Sequence, residues 1–160
     1  MANFAARPLS VRRPVSQITA MPRAYLTRRV AFAAAHRYRI PDWSDEQNEK
    51  AFGLCARQSY HGHSYTCDVT IRGAMHPVTG FIFDLTELDR ILAEEVTSRF
   101  DHRNINTDVA EFADGLLIPS GENLAKFIFE RVRQRMPEVD LIDVTVAEDQ
   151  TLSSSYRGEE

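Results

Sequence analysis

Alternation of apolar and polar side chains, the mark of a half-buried strand, is sharpest over residues 63–72. There His63, Tyr65, Cys67, Val69 and Ile71 share one parity, and Ser64, Thr66, Asp68, Thr70 and Arg72 the other. YLTRRVAFAAAHR, residues 25–37, predicts an earlier strand with Leu26, Val30 and Phe32 in phase, ending near Pro41. Ile142, Val144, Val146 and Glu148 alternate as a third strand, and Ser154 to Arg157 offer a short fourth. A helical period takes over twice. Leu88, Ile91, Leu92 and Val96 predict a helix over 86–100, with Thr86 and Asp89 placed as a weak capping box. Leu124, Phe127, Ile128 and Val132 predict a second, capped by Ser120 and stopped before Pro137. PDWSDEQNEKAFG is a polar loop with room for a helical turn, GAMHPVTG is a turn, and DHRNINTDVAEFADGLLIP is irregular.

The order β, β, α, α, β, β lacks the strand–helix alternation of a parallel doubly wound sheet. It predicts an α+β fold, an antiparallel sheet with two helices on one face. Such a sheet has two open edges, which proteins rarely leave bare. Joining edges around a symmetry axis would close a barrel from several subunits, so a homo-oligomer is expected.

Composition adds limits. A chain of 160 residues, 43% hydrophobic and 26% charged, fits one soluble domain with its own core. A net charge of -4 gives no general attraction for nucleic acid or an anionic membrane. No apolar run approaches the roughly 18 residues of a membrane helix. Two cysteines, Cys55 and Cys67, make no disulfide framework, which points to a reduced, cytoplasmic setting. No Asp or Glu precedes Asp42, whereas eight arginines do. The first twenty residues have two prolines and no hydrophobic period, so they read as a disordered tail. An Arg- and Ser-bearing targeting segment and an overextended reading frame with its start at Met21 are the alternatives. The domain is expected over 24–160, with 1–23 set aside.

Candidate chemistry concentrates in CARQSYHGHSY, residues 55–65. Two residues apart on an extended chain, His61 and His63 project to one face with Cα atoms about 6.5–7 Å apart, and can converge on one zinc. His36, ending the first strand, is the natural third ligand; three histidines leave the fourth position open, as in catalytic sites. By spacing alone, H-x-H is as often chance. Gly62 allows close approach of a ligand or backbone. Cys55 is open to three roles: fourth ligand, buried structural residue, or proton-transfer group, since a nearby cation favours thiolate. Cys67, sharing a face with Val69 and Ile71, is core. Asp101 and His102 offer a carboxylate–imidazole pair or an exposed loop pair. Glu148 points inward with Val144 and Val146, where a carboxylate is costly unless it receives hydrogen bonds; two side-by-side N–H donors would satisfy it.

Taken in order, FAAAHR, FGLCARQSYHGHSY, TGFIFDLTEL, DHRNIN, PSGENLA and VAEDQ…YRGE resemble the 6-pyruvoyl-tetrahydropterin synthases and their relatives, from about Tyr25 to Glu159. The resemblance implies the tunnelling fold, whose subunits close a barrel as a trimer and stack as a homohexamer with sites at subunit interfaces. It implies 7,8-dihydroneopterin triphosphate as substrate and zinc on His36, His61 and His63. Cys55 matches the catalytic cysteine, and Asp101 and His102 a dyad contributed across a subunit boundary. Glu148 matches the pterin anchor, and Ser120, Gly121 and Glu122 a pterin-contacting segment in which Gly121 replaces a hydroxyl residue of some members, leaving backbone only. Two products share this site: 6-pyruvoyl-tetrahydropterin, or the 6-carboxy-tetrahydropterin of the queuosine route, released with acetaldehyde. Five residues between Cys55 and His61 look like the pyruvoyl enzymes. A silent zinc- or pterin-binding relative is the remaining class, and intact Cys55, Asp101, His102 and Glu148 speak against it.

Overall fold

A computed structural model of the chain describes residues 21–158. The expected tail falls, up to residue 20, outside the described residues. Strand β1, Arg23–His36, and strand β2, His61–Ala74, pair antiparallel along their whole length, from Arg23 opposite Ala74 to His36 opposite His61. Aromatic and β-branched residues suit such a pleated, half-buried surface: Tyr65, Cys67, Val69 and Ile71 are buried, on the parity the sequence predicts. Between these strands the polar loop forms helix α1, Asp45–Phe52. Ser44 and Gln47 close a capping box at its start, and buried Asn48 ties it to the preceding chain by bonding both N–H and C=O of Ile40.

Helix α2, Leu85–Leu92, is capped by Asp84, whose carboxylate accepts from the N–H groups of Thr86 and Glu87. Thr86 and Asp89 do not form the cap: a carboxylate one position before the helix satisfies those amides first. The helix continues through a π-helical stretch, Ala93–Thr97, into α3, Ser98–Phe100. Glu95 in that stretch is buried among arginines: it accepts from Arg131 Nε at 2.6 Å, Arg135 Nη1 at 2.7 Å and Arg99 Nε at 3.3 Å.

The segment expected to be irregular holds three short elements. Strand β3, Arg103–Asn104, runs parallel to Ala34 and Ala35 of β1; α4, Ile105–Asp108, and a single 3₁₀ turn, Ala110–Phe112, follow. Helix α5, Gly121–Arg135, begins at Ser120, whose hydroxyl accepts from Asn123 N–H. Strand β4, Asp140–Ala147, pairs antiparallel with β2, and β5, Ser153–Tyr156, pairs antiparallel with β4. The sheet order is β3-β1-β2-β4-β5.

One parity differs from expectation. Between Asp143, opposite Thr70, and Leu141, opposite Ile71, the ladder skips Ile142. This bulge makes Leu141, not Ile142, the residue that packs on the core. Beyond it Val144, Val146 and Glu148 are buried as expected. The core lies between the sheet and the layer of α2 and α5, built from Val69, Ile71, Val144 and Val146 against Leu88, Leu92, Leu124 and Ile128. No described helix is long and apolar enough to cross a membrane.

Candidate metal centre and binding pocket

The full-length pairing of β1 with β2 sets His36 opposite His61 and leaves His63 one pleat further along. Gly62 between them lies close to the neighbouring strand: a Cβ there would sit 3.3 Å from the carbonyl oxygen of Ala34, a tight contact that β1 would have to relax. One ligating nitrogen from each of His36, His61 and His63 falls within 4.8 Å of the others. A tetrahedral ion with bonds near 2.0–2.1 Å wants donors about 3.3 Å apart, and the His36 and His61 Nε2 atoms are 3.1 Å apart.

Protonation favours the same reading. His36 Nδ1 lies 3.1 Å from the Pro119 carbonyl oxygen, which only accepts. The proton therefore belongs on Nδ1, and the Nε2 lone pair turns toward His61. Burial, reinforced by the neighbouring histidines and opposed by the Pro119 bond, lowers His36 to about 4. His61 is also lowered, by burial first and then by His63. Both rings are neutral at pH 7. Neutral nitrogens facing one another at this distance repel unless a proton or cation stands between them. His63 Nε2, buried, has no hydrogen-bond partner among the described residues. An orphaned nitrogen beside two lone pairs fits a divalent cation.

Glu148, just past β4, is buried beside this cluster. Its Oε1 accepts the Tyr38 hydroxyl at 2.9 Å, and its Oε2 lies 3.9 Å from His63 Nε2. Burial, then the charge of Glu148, pushes the Tyr38 hydroxyl far up, so it stays protonated and donates. The start of α5 closes the pocket. A Cβ on Gly121 would lie 3.9 Å from Glu148 Oε1 and 2.7 Å from Ser154 Oγ, so the Ser154 hydroxyl occupies the space a side chain at 121 would need. Glu122 is held ionised by its own backbone N–H and by the Ser120 hydroxyl, with Ser154 adding to them.

Cys55 sits half-buried in a 3₁₀ turn, Gly53–Ala56, and is not part of the ligand cluster. Burial, then the charge of Glu148, raises its thiol pKa. The chain's own groups thus hold it as thiol, and a cation or a bound substrate must supply any thiolate character. Asp101 and His102 stand apart. Asp101 Oδ1 accepts from Ala33 N–H at 2.9 Å, and His102, in the left-handed region at φ 56°, donates its own N–H to Ala33 O at 2.7 Å. Their side chains are 33% and 86% exposed and 3.8 Å apart. Neither bonds to Cys55, Glu148 or the three histidines. The three histidines and Glu148 thus lie together, with Gly121 and Cys55 near Glu148, while His102 shares only an open depression with His63 along β1.

Sequence reading assigned no role to Tyr38, Tyr65 or Ser154. Tyr65, whose hydroxyl lies 3.0 Å from His36 Nδ1, and Tyr38 each follow one of the three histidines by two positions. That spacing was the available signal. Ser154 had none, because its place depends on the turn between β4 and β5.

Comparison with known proteins places the chain in one family. The family described as 6-pyruvoyl tetrahydropterin synthase matches residues 25–159. The 6-pyruvoyl tetrahydrobiopterin synthase of Drosophila melanogaster is 38% identical over 139 residues, covering 86% of this chain and 81% of that protein. The human protein of the same name is 35% identical over 136 residues, covering 85% and 92%. The structure of Caenorhabditis elegans 6-pyruvoyl tetrahydropterin synthase superposes with a TM-score of 0.80 at 33% identity, covering 87% of this chain and 98% of that one.

Proposed function

The chain belongs to the 6-pyruvoyl tetrahydropterin synthase family, and from that premise we propose that it is a zinc-dependent lyase converting 7,8-dihydroneopterin triphosphate to 6-pyruvoyl-tetrahydropterin with release of triphosphate. One observation carries the reading: three converging histidines with an orphaned nitrogen stand beside a buried carboxylate, one oxygen of which makes no hydrogen bond among the described residues. A zinc ion on His36, His61 and His63 would polarise the side-chain oxygens of the substrate and acidify the adjacent C–H bonds.

The other roles belong to the protein. Glu148 accepts the two adjacent N–H donors of the amino-pyrimidine edge and orients the ring, with 120–122 bordering it. Cys55, close enough to feel the charge of Glu148, takes the proton from the side-chain carbon next to the ring; that carbinol becomes a ketone as the ring C=N bond gains the two hydrogens it gives up. Loss of triphosphate from the terminal carbon with a proton from the middle carbon then leaves an enol, which becomes the second ketone. Asp101 and His102, exposed in a single chain, serve the site of an adjoining copy. The outer edge of β1 is covered by β3 only at Ala34 and Ala35, and β5 is the opposite edge. Joining these edges between copies closes a barrel, with a hexamer of two stacked trimers as the assembly. The setting is cytoplasmic. Mass analysis of the product made from dihydroneopterin triphosphate tests the reaction: 6-pyruvoyl-tetrahydropterin is expected, whereas 6-carboxy-tetrahydropterin with acetaldehyde would reassign the chain to the carboxy synthases. Absence of triphosphate release would make it a silent binder.

A further inference from the structure

Tyr38 joins three parts of the pocket that the chain order keeps apart. Its hydroxyl donates to Glu148 Oε1 at 2.9 Å, across 110 positions of sequence. Its main-chain N–H donates to the carbonyl of Cys55 at 2.8 Å. Its ring stands edge-on to His36, centroids 4.9 Å apart, and to Phe52 at 5.9 Å. The ring contacts fix where the hydroxyl sits, so the bond to Glu148 comes from a rigid donor.

The consequence lies in the carboxylate. The terminal torsion of a glutamate is broad and soft, so a carboxylate at the end of a strand is not oriented by its own chain. Recognition of two parallel N–H donors needs it held in one plane. Oε1 is pinned by Tyr38, while Oε2 lies 3.9 Å from His63 Nε2, beyond hydrogen-bond reach. We propose that Tyr38 is a positioning residue for ligand recognition: its hydroxyl sets the plane of the Glu148 carboxylate, so that Oε2 and the second lone pair of Oε1 face a pair of adjacent N–H donors. This rests on the reading of Glu148 as the pterin anchor. Through its main chain the same residue fixes the Cys55 turn relative to that anchor, a contact that survives loss of the hydroxyl.

The test is a double-mutant cycle in the metal-loaded full-length protein, comparing wild type, Tyr38→Phe, Glu148→Gln and the double variant. Neopterin, which lacks the triphosphate, is titrated by fluorescence, and kcat and KM are measured with the triphosphate substrate. Tyr38→Phe is expected to weaken neopterin binding about tenfold, the scale of one hydrogen bond to a charged group. KM should rise with kcat little changed. The double variant should bind no more weakly than Glu148→Gln alone, because the hydroxyl acts through the carboxylate. Additive losses, or unchanged affinity in Tyr38→Phe, would overturn the inference while leaving the anchor standing. Unchanged affinity in Glu148→Gln would remove anchor and inference together. Loss of metal or of fold in Tyr38→Phe would mark a packing residue and also overturn it.

Discussion

Two glutamates are buried to nearly the same degree, Glu95 at 5% exposure and Glu148 at 6%, and they live in opposite chemical circumstances. Glu95, in the helical layer, receives guanidinium N–H groups from Arg99, Arg131 and Arg135. Burial opposes its charge, but the hydrogen bonds from Arg131 and Arg135 outweigh it and lower its pKa. Glu148, at the end of the sheet, receives one phenol, and its other oxygen, which makes no hydrogen bond among the described residues, lies 3.9 Å from a histidine nitrogen that itself lacks a partner. Burial alone therefore does not separate a structural charge from a functional one; completeness of pairing does. A saturated carboxylate has nothing left to offer a ligand, whereas an unsaturated one can still accept donors.

Substitution can break this contrast. The largest effect is expected at Glu95→Gln, which leaves three guanidinium groups facing an amide. It should lower stability by about 3 kcal/mol, the low end for breaking a buried pair because the arginines reach water, with pterin affinity unchanged. Urea unfolding measures this, and a shift below 1 kcal/mol would erase the distinction. Next is Cys55→Ala, where kcat should fall by about 10² or more, the scale of a positioned proton-transfer group, with metal and pterin retained. Metal loss there, by elemental analysis, would make Cys55 a ligand. Glu148→Gln should weaken pterin binding by about 2 kcal/mol, with stability and metal content nearly unaltered. Calorimetric titration with neopterin gives the number, and a fall in stability as large as at Glu95 would make the two sites alike.

The smallest effect lies in acid. Since the folded-state pKa of Glu95 is lowered, its contribution is present above its unfolded value near 4.5 and is lost as pH falls through the lower folded value. Unfolding followed downward from pH 5 should show a shallower loss for Glu95→Gln than for wild type. Parallel curves would mean the arginines do not favour the carboxylate.

The strands and the two packing helices could be read in the sequence because each repeats its signal: five inward positions over 63–71, and four apolar residues in phase for each helix. The convergence of His36, His61 and His63 was readable for the same reason, since parity fixes direction once β1 and β2 pair. What escaped depends on single residues acting out of phase. The Ile142 bulge shifts a register without altering composition. Asp84 takes a cap from residues two and five positions later. The Tyr38–Glu148 bond spans the fold, so nothing local announces it. Helix α1 fills the room for a helical turn that the polar loop offers, but its length is not readable, because its face toward the core is so short.

The π-helical stretch Ala93–Thr97 carries one more residue per turn than its flanks. Each helical residue turns the chain by about 100°, so the stretch behaves as a phase adjuster between two fixed ends. Upstream, Leu88, Ile91 and Leu92 are seated in the core; downstream, Phe100 packs with Phe32 and Phe112, and Asp101 meets Ala33 N–H. The same number of residues wound as an ordinary ladder would carry Phe100 about 100° round from its seat and take Asp101 off the rim of β1. The angular setting of the Asp101–His102 pair is thus encoded by residue count in a helix whose other task is to hold Glu95 among its arginines.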